Sequence, residues 1–252
     1  MFGADELSDD KFLSGRLRLL QPLKGYRAAT DPVLLAAAVP AQPGDRVLDL
    51  GCGAGAASLC LGFRVPGLGL SGLEVQPDYA ALARQNADRN GIPLDVHEGD
   101  LARMPQPLRR DFDHVIANPP YYAPGGSRSP LPGKAMAMQV QTPLADWVAV
   151  AARRLRPGGA LTLICRTDGL PEVLSAMGTR LGSVAVLPLQ PRDGRAALRV
   201  LVQARKGGRA PFRLLAPFVI HQGSVHDGDR ETYTMAANAV LRDGADLLAQ
   251  FR

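Results

Sequence analysis

The sharpest chemical signal in the chain is Asn118-Pro119-Pro120-Tyr121. Two consecutive prolines fix a stiff turn and remove backbone donors. The Asn118 side-chain oxygen and the Pro119 carbonyl are then presented as acceptors, and Tyr121 supplies a flat face for stacking. Two acceptors beside a stacking ring suit a planar –NH2 group. An ordinary loop is the competing reading.

Three further clusters lie upstream. In Val47-Leu48-Asp49-Leu50-Gly51-Cys52-Gly53-Ala54-Gly55 an apolar run enters a glycine-rich turn. Glycine lets the backbone turn tightly and approach a ligand, and a helix N-terminus after it can face a carboxylate. The spacing is G-x-G-x-G, not the dinucleotide G-x-G-x-x-G, and a purely structural turn is the alternative. Glu74 lies 23 residues after Gly51, at the end of the next apolar run. In doubly wound sheets an acid there accepts hydrogen bonds from ribose hydroxyls. Gly99-Asp100 ends the third run. That carboxylate either accepts from the exocyclic amine of adenine or caps the next turn.

Short apolar runs alternate with helical stretches from 46 to 205, which predicts a mostly parallel α/β sheet. Strands are expected at 46–50, 68–74, 94–97, 114–117 and 160–165. Helices are expected at 55–63, 76–90, 142–156 and 170–181. Residues 183–189 and 197–204 read as a closing antiparallel pair. The fold class is therefore a Rossmann-like, seven-stranded, mostly parallel sheet with helices on both faces and an antiparallel last strand. Residues 1–252 read as one domain, with a core at about 46–205, an N-terminal cap segment 1–45 and a C-terminal extension 206–252 that holds no motif.

Composition narrows the class. The chain has 252 residues, 46% hydrophobic and 21% charged, enough to bury a full core. No run of 18 apolar residues occurs, which excludes a helical membrane span, and the acidic, polar N-terminus excludes a secretory signal. Cys52, Cys60 and Cys165 are too few and scattered for a disulfide framework or a zinc site, so a cytoplasmic location is expected. His97, His114, His221 and His226 show no ligand spacing, and no metal is expected. Cys52 reads as a small residue in a tight turn, and Trp147 as core. Met136 and Met138 read as lining a substrate lid.

The net charge of +5 is concentrated. Residues 192–213 hold Arg192, Arg195, Arg199, Arg205, Lys206, Arg209 and Arg213 against Asp193, a local +6 that leaves −1 for all other residues. An acid-free stretch from Tyr121 to Gln141 adds Arg128 and Lys134. A charge run is ordinarily a solvated face, and it becomes a phosphate-contacting surface only beside a catalytic site.

Together these motifs resemble the class I S-adenosylmethionine-dependent amino-methyltransferases over 46–204. The resemblance implies S-adenosylmethionine as cofactor, with S-adenosylhomocysteine as product. It implies that Gly51, Gly53 and Gly55 hold the methionine moiety, with Arg27, Thr30, Asp49 and Cys52 on the same side. Glu74 and Val75 would meet the ribose region, and Gly99, Asp100 and Leu101 the adenine. Asn118 and the Pro119 carbonyl would hold the amine to be methylated, next to Pro120, with Tyr121 stacking on its ring.

A narrower likeness lies upstream. The segment from Gln21 to Ala36, with Thr30-Asp31-x-x-Leu34-Leu35, is similar to the tRNA(Val) adenine-N6 methyltransferase family, as is the doubled Tyr121-Tyr122. Thr30 reads as an N-cap with Pro32 in the first helical turn. This likeness implies an RNA partner, tRNA as substrate, with Tyr122, Arg128, Lys134, Arg192, Arg195, Arg205, Lys206 and Arg209 on the RNA side. It leaves a monomer or a homodimer open. Release-factor glutamine methyltransferases also carry Asn-Pro-Pro-Tyr, but their longer preceding helical domain contrasts with the 46 residues before Val47. An rRNA or DNA amino-methyltransferase, and a non-catalytic RNA- or partner-binding protein on the same fold, are the other readings.

Overall fold

The computed structural model describes residues 2–120, 142–223 and 232–252. Its centre is one nine-stranded sheet. The apolar run at 46–50 forms β3 (Arg46–Leu50), and the glycine turn leads into a helix at Ala56–Arg64. The next strands are β4 (Gly69–Glu74), β5 (Asp95–Glu98) and β6 (Phe112–Ala117). Then come β7 (Leu155–Arg166), β8 (Leu181–Arg192) and β9 (Arg199–Lys206). Two short strands, β10 (Arg213–Leu214) and β11 (Phe218–His221), both pair with β8.

The order across the sheet is β10-β8-β9-β7-β6-β3-β4-β5. β9 runs antiparallel to both β7 and β8, and all other pairings in this sheet are parallel. The seven expected strands are all present. The two added ones come from the C-terminal extension, which thereby belongs to the sheet edge. The carboxyl ends of β3, β4, β5 and β6 therefore share one edge, where ligands bind in open α/β sheets.

Six α-helices complete the described fold: α1 (Thr30–Ala38), α2 (Ala56–Arg64), α3 (Pro77–Asn90), α4 (Leu144–Arg154), α5 (Leu170–Met177) and α6 (Met235–Asp243). Alternate residues of the strands feed opposite cores, as the two-residue period of a strand requires. Val47, Ile116, Ile164 and Leu201 pack with α1, α2 and α6. Leu48, Val115, Leu161 and Val202 pack with α4 and α5. Leu48, Leu161 and Ile116 are fully buried, each contributing about 1.5–3 kcal/mol of apolar burial.

Some boundaries differ from those expected. The helix predicted at 170–181 stops at Met177, because Gly178 takes φ +52 and Leu181 already pairs in β8. The helix predicted at 142–156 ends at Arg154, because the chain enters β7 at Leu155, ahead of Pro157-Gly158-Gly159. Thr30 is not the N-cap of α1: Ala29 holds that position, with no side-chain hydrogen bond.

Residues before β3 form a hairpin, β1 (Leu7–Phe12) with β2 (Leu17–Pro22). Two asparagines on α3 dock it. Asn86 Oδ1 accepts from Leu20 N–H at 2.8 Å, and its amide donates to the Leu20 and Ala54 carbonyls at 3.0 Å each. Asn90 exchanges two bonds of 2.9 Å with the Arg18 backbone. Asn86 is fully buried with both donors and its acceptor engaged, so its burial carries no unpaired polar group.

Candidate active site

The glycine turn departs from the carboxyl end of β3 with Gly51, Gly53 and Gly55 at φ of +65, +55 and +87. A side chain at Gly51 would also collide: its Cβ would lie 2.6 Å from the Trp147 ring. Trp147 is thus core, as expected, and forms the wall behind the turn. At Gly53, among the described residues beyond its chain neighbours, the only heavy atom within 4 Å of such a Cβ is Tyr26 Cε1, at 3.9 Å. That glycine leaves space in front of the backbone.

Glu74 braces the turn. Its Oε2 accepts the Gly53 N–H at 2.9 Å and its Oε1 the Gln76 N–H at 2.8 Å. The residue is 5% exposed. Burial pushes its carboxyl above the ordinary value, while hydrogen bonds from Gln76, Gly53 and Val75 pull it back. A carboxylate has about four acceptor sites, so these N–H bonds still leave capacity for a ligand hydroxyl. Val75, just beyond, is 53% exposed and offers an apolar surface.

Asp49 is 2% exposed and accepts the Ser58 hydroxyl at 2.7 Å. Burial pushes its carboxyl up to about 7, against the lowering Ser58 bond and with a smaller upward push from Glu74. Burial likewise raises the Cys52 thiol well above its ordinary value, which leaves it a protonated, unreactive group. Asp100 caps the turn Leu101–Arg103 through Ala102 N–H at 2.7 Å. The capping reading therefore holds, and it coexists with a position at the carboxyl end of β5. Gly99 donates to the Glu74 carbonyl at 2.9 Å, which ties those two strand ends together.

A narrow cleft lies over the turn. Its lining includes Asp49, Gly51, Cys52, Tyr26, Tyr79 and Asn118. The structure thus brings the β3 and β6 signals to one space. Glu74, Val75 and Asp100 lie outside this cleft, along the ends of β4 and β5. Pro119 is buried and Pro120 exposed. Tyr121, Tyr122, Arg128, Lys134, Met136, Met138 and His226 lie outside the described residues.

Tyr26 is the site residue that sequence reasoning missed. It sits on a strap between β2 and α1, and its hydroxyl accepts from Asn118 Nδ2 at 3.1 Å. Desolvation, with Asp31 and Asp49 nearby, holds that hydroxyl up to about 12, so it stays neutral. The motif containing it was visible, but nothing in its spacing to Asn118, 92 residues away, signals contact. Arg27 follows a different course. Its guanidinium engages Ser8, the Pro22 carbonyl and Asp10, so it fastens the strap to the hairpin. Thr30 lines a second, wider cavity between the hairpin and α6.

The basic run divides. Arg166 pairs with Arg199 across β7 and β9, and Ala160 with Arg205. The start of β9 is therefore at the site's edge of the sheet and its end at the opposite edge. Arg195, in the exposed turn before β9, lies on the site's side. Arg205, Lys206 and Arg209 lie on the far side, where Arg205 and Lys206 donate to the Gly158 and Leu155 carbonyls. Arg192 is 9% exposed and donates to the Gln222 carbonyl and Thr232, so it fastens β8 to the C-terminal segment. Linear charge density could not reveal this split, because it depends on strand direction.

Among the described residues no group of three or more His, Cys, Asp or Glu is placed to hold a metal ion, and no helix is long and apolar enough to cross a membrane.

Comparison with known proteins agrees with this geometry. Residues 29–188 match the family described as methyltransferase small domain. A tRNA1(Val) (adenine(37)-N6)-methyltransferase from Dickeya chrysanthemi is 28% identical over 225 residues, 86% of this chain and 87% of its own length. A predicted O-methyltransferase from Agrobacterium tumefaciens superposes with a TM-score of 0.68 at 28% identity, covering 85% of this chain and 96% of that one. The Thermus thermophilus 16S rRNA N2 G1207 methyltransferase, solved with AdoMet and guanosine, shares the fold with a TM-score of 0.55 at 20% identity over 79% of this chain and 50% of that one.

Proposed function

The chain belongs to the methyltransferase small domain family, and on that premise we propose that it transfers a methyl group from S-adenosylmethionine to the N6 amine of an adenine in tRNA. The observation that carries this reading is Asn118, with its Asn-Pro-Pro turn, lining the same cleft as Asp49 and the glycine turn. The relative from Dickeya chrysanthemi, named for adenine-N6 methylation of tRNA1(Val), aligns over most of both chains and supports the choice of base and of RNA. We take residues 1–252 as a single catalytic domain.

The residues fit the donor. The space before Gly53, the acceptors of Glu74 and Asp100, and the exposed Val75 surface suit a methionine moiety, a ribose and an adenine in succession. When bound, S-adenosylmethionine supplies an electrophilic methyl on a sulfonium. Asn118 Oδ1 and the Pro119 carbonyl hold the acceptor amine by its two N–H groups, with Tyr121 expected to stack on the ring. Those bonds favour electron density on nitrogen as the new bond forms. Placement is the larger contribution, since well-oriented reactants can gain about 7–11 kcal/mol over free encounter. No strong base is needed, because the methylated amine sheds its proton readily to water. A hydroxyl acceptor, as in O-methylation, would have only one hydrogen for two acceptors. The target base must reach a cleft, so an unpaired anticodon-loop base meets the demand at low cost.

The test is incubation with labelled methyl donor and, separately, tRNA, rRNA, DNA and release factor. Label in tRNA supports the proposal. Label only in release factor would overturn it in favour of glutamine methylation.

A further inference from the structure

We propose that Tyr26 is a positioning residue for transfer: its phenol oxygen takes the Asn118 amide N–H, so that Asn118 Oδ1 is turned toward the acceptor amine. A primary amide has a donor end and an acceptor end of nearly the same shape. Turned the wrong way, Asn118 would present its own –NH2 to the amine it must bind, donor against donor. The Pro119 carbonyl beside it cannot correct this, since it offers no donor. In the structure the Tyr26 hydroxyl, 3.1 Å from Asn118 Nδ2, engages the donor end and holds the amide with Oδ1 left for the acceptor amine.

For this role Tyr26 must itself be fixed, and two buried side chains fix it. The Tyr79 hydroxyl accepts from Tyr26 N–H and donates to the Tyr26 carbonyl, both at 3.0 Å. Gln21 does the same two residues on: its Oε1 accepts from Ala28 N–H at 2.7 Å and its Nε2 donates to the Ala28 carbonyl at 3.1 Å. Tyr79 and Gln21 are 5% and 2% exposed, so these clamps are shielded from water. Gly25 turns the strap at φ +117, with a would-be Cβ only 2.9 Å from the Tyr79 hydroxyl. The strap is thus pinned on both sides of the Tyr26 side chain, which spans from the glycine turn to Asn118. This inference rests on the reading that Asn118 binds an amine.

The test compares Tyr26→Phe with the unsubstituted protein in steady-state transfer, with donor affinity from calorimetry using S-adenosylhomocysteine and folding from thermal melts. Loss of one neutral hydrogen bond predicts a roughly tenfold fall in kcat, with KM for the acceptor, donor Kd and Tm essentially unchanged. The same substitution is then made in Asn118→Ser, whose hydroxyl has no amide to orient. There Tyr26→Phe should have no further effect on kcat. An unchanged kcat in the first background, a loss carried by donor Kd, or an equal loss in both backgrounds would overturn the proposal. The comparison is read on whichever amine accepts the methyl group. Failure of transfer to RNA by the unsubstituted protein therefore tells against the substrate assignment, and equal kcat values tell against Tyr26.

Discussion

Glu74 Oε2 accepts the Gly53 N–H at 2.9 Å, so the carboxylate at the end of β4 holds in place the glycine turn at the end of β3. One side chain thereby joins the two parts of the proposed donor site. Glu74→Gln preserves volume but replaces one acceptor oxygen by a donor, facing either Gly53 or Gln76. Hydrogen bonds to charged groups contribute about 1.5–3 kcal/mol, so Kd for S-adenosylhomocysteine should rise at least roughly tenfold. Calorimetry checks this, and an unchanged Kd would remove Glu74 from the donor site.

Gly51 and Gly53 both take positive φ, yet they should respond differently to alanine. At Gly51 a methyl group meets Trp147 at 2.6 Å, whereas at Gly53 the nearest described atom beyond the chain neighbours, Tyr26 Cε1, is 3.9 Å away. Gly53→Ala should cost about 1 kcal/mol from backbone strain, and Gly51→Ala about 1–3 kcal/mol more from overpacking. Urea denaturation of both variants measures the gap. Equal losses would show that Trp147 yields freely.

Asp49 makes stability depend on pH. Its carboxyl titrates near 7 in the fold, driven by burial, against 3.8 as the ordinary value. Between those values the unfolded chain has lost the proton that the folded chain keeps. This group's contribution to stability therefore falls as pH rises through the window and is level above it. Asp49→Asn removes the dependence and still accepts from Ser58. The Tm of the variant minus that of the unsubstituted protein should increase by a few degrees from about pH 4 to about pH 8. A constant difference would contradict the raised titration.

The division of the basic run predicts unequal roles. Arg195→Ala should lower tRNA affinity and reduce the salt slope by about one, whereas Arg209→Ala, at the far edge, should do neither. Binding titrations over a salt series decide it. Equal effects would mean that RNA wraps both edges of the sheet.

The parallel core was legible because most of its strands carry short apolar runs, such as Val47-Leu48 and Val115-Ile116-Ala117, followed by residues with evident chemistry. The hairpin was not. β1 reads Leu-Ser-Asp-Asp-Lys-Phe, and its partner β2 is docked by Asn86 and Asn90 of a helix far along the chain. β10 is two exposed residues, defined by its alignment with β8. At the site, Asn118, Asp49 and Glu74 announced themselves as types at strand ends. Tyr26 did not, because its contact arises only when the strap folds across the cleft. The role of Arg192 was hidden for the opposite reason: a cation counted in a surface charge run is nearly buried and committed to the Gln222 carbonyl and Thr232.

Amine methylation of tRNA at the Asn118 turn is read out by nucleoside mass spectrometry. Unmodified tRNA is incubated with the methyl donor and either the unsubstituted protein or Asn118→Ala, then digested. N6-methyladenosine should form with the first and none above background with the second, while the variant still binds S-adenosylhomocysteine. Absence of N6-methyladenosine with the unsubstituted protein, or equal yield from Asn118→Ala, would contradict it.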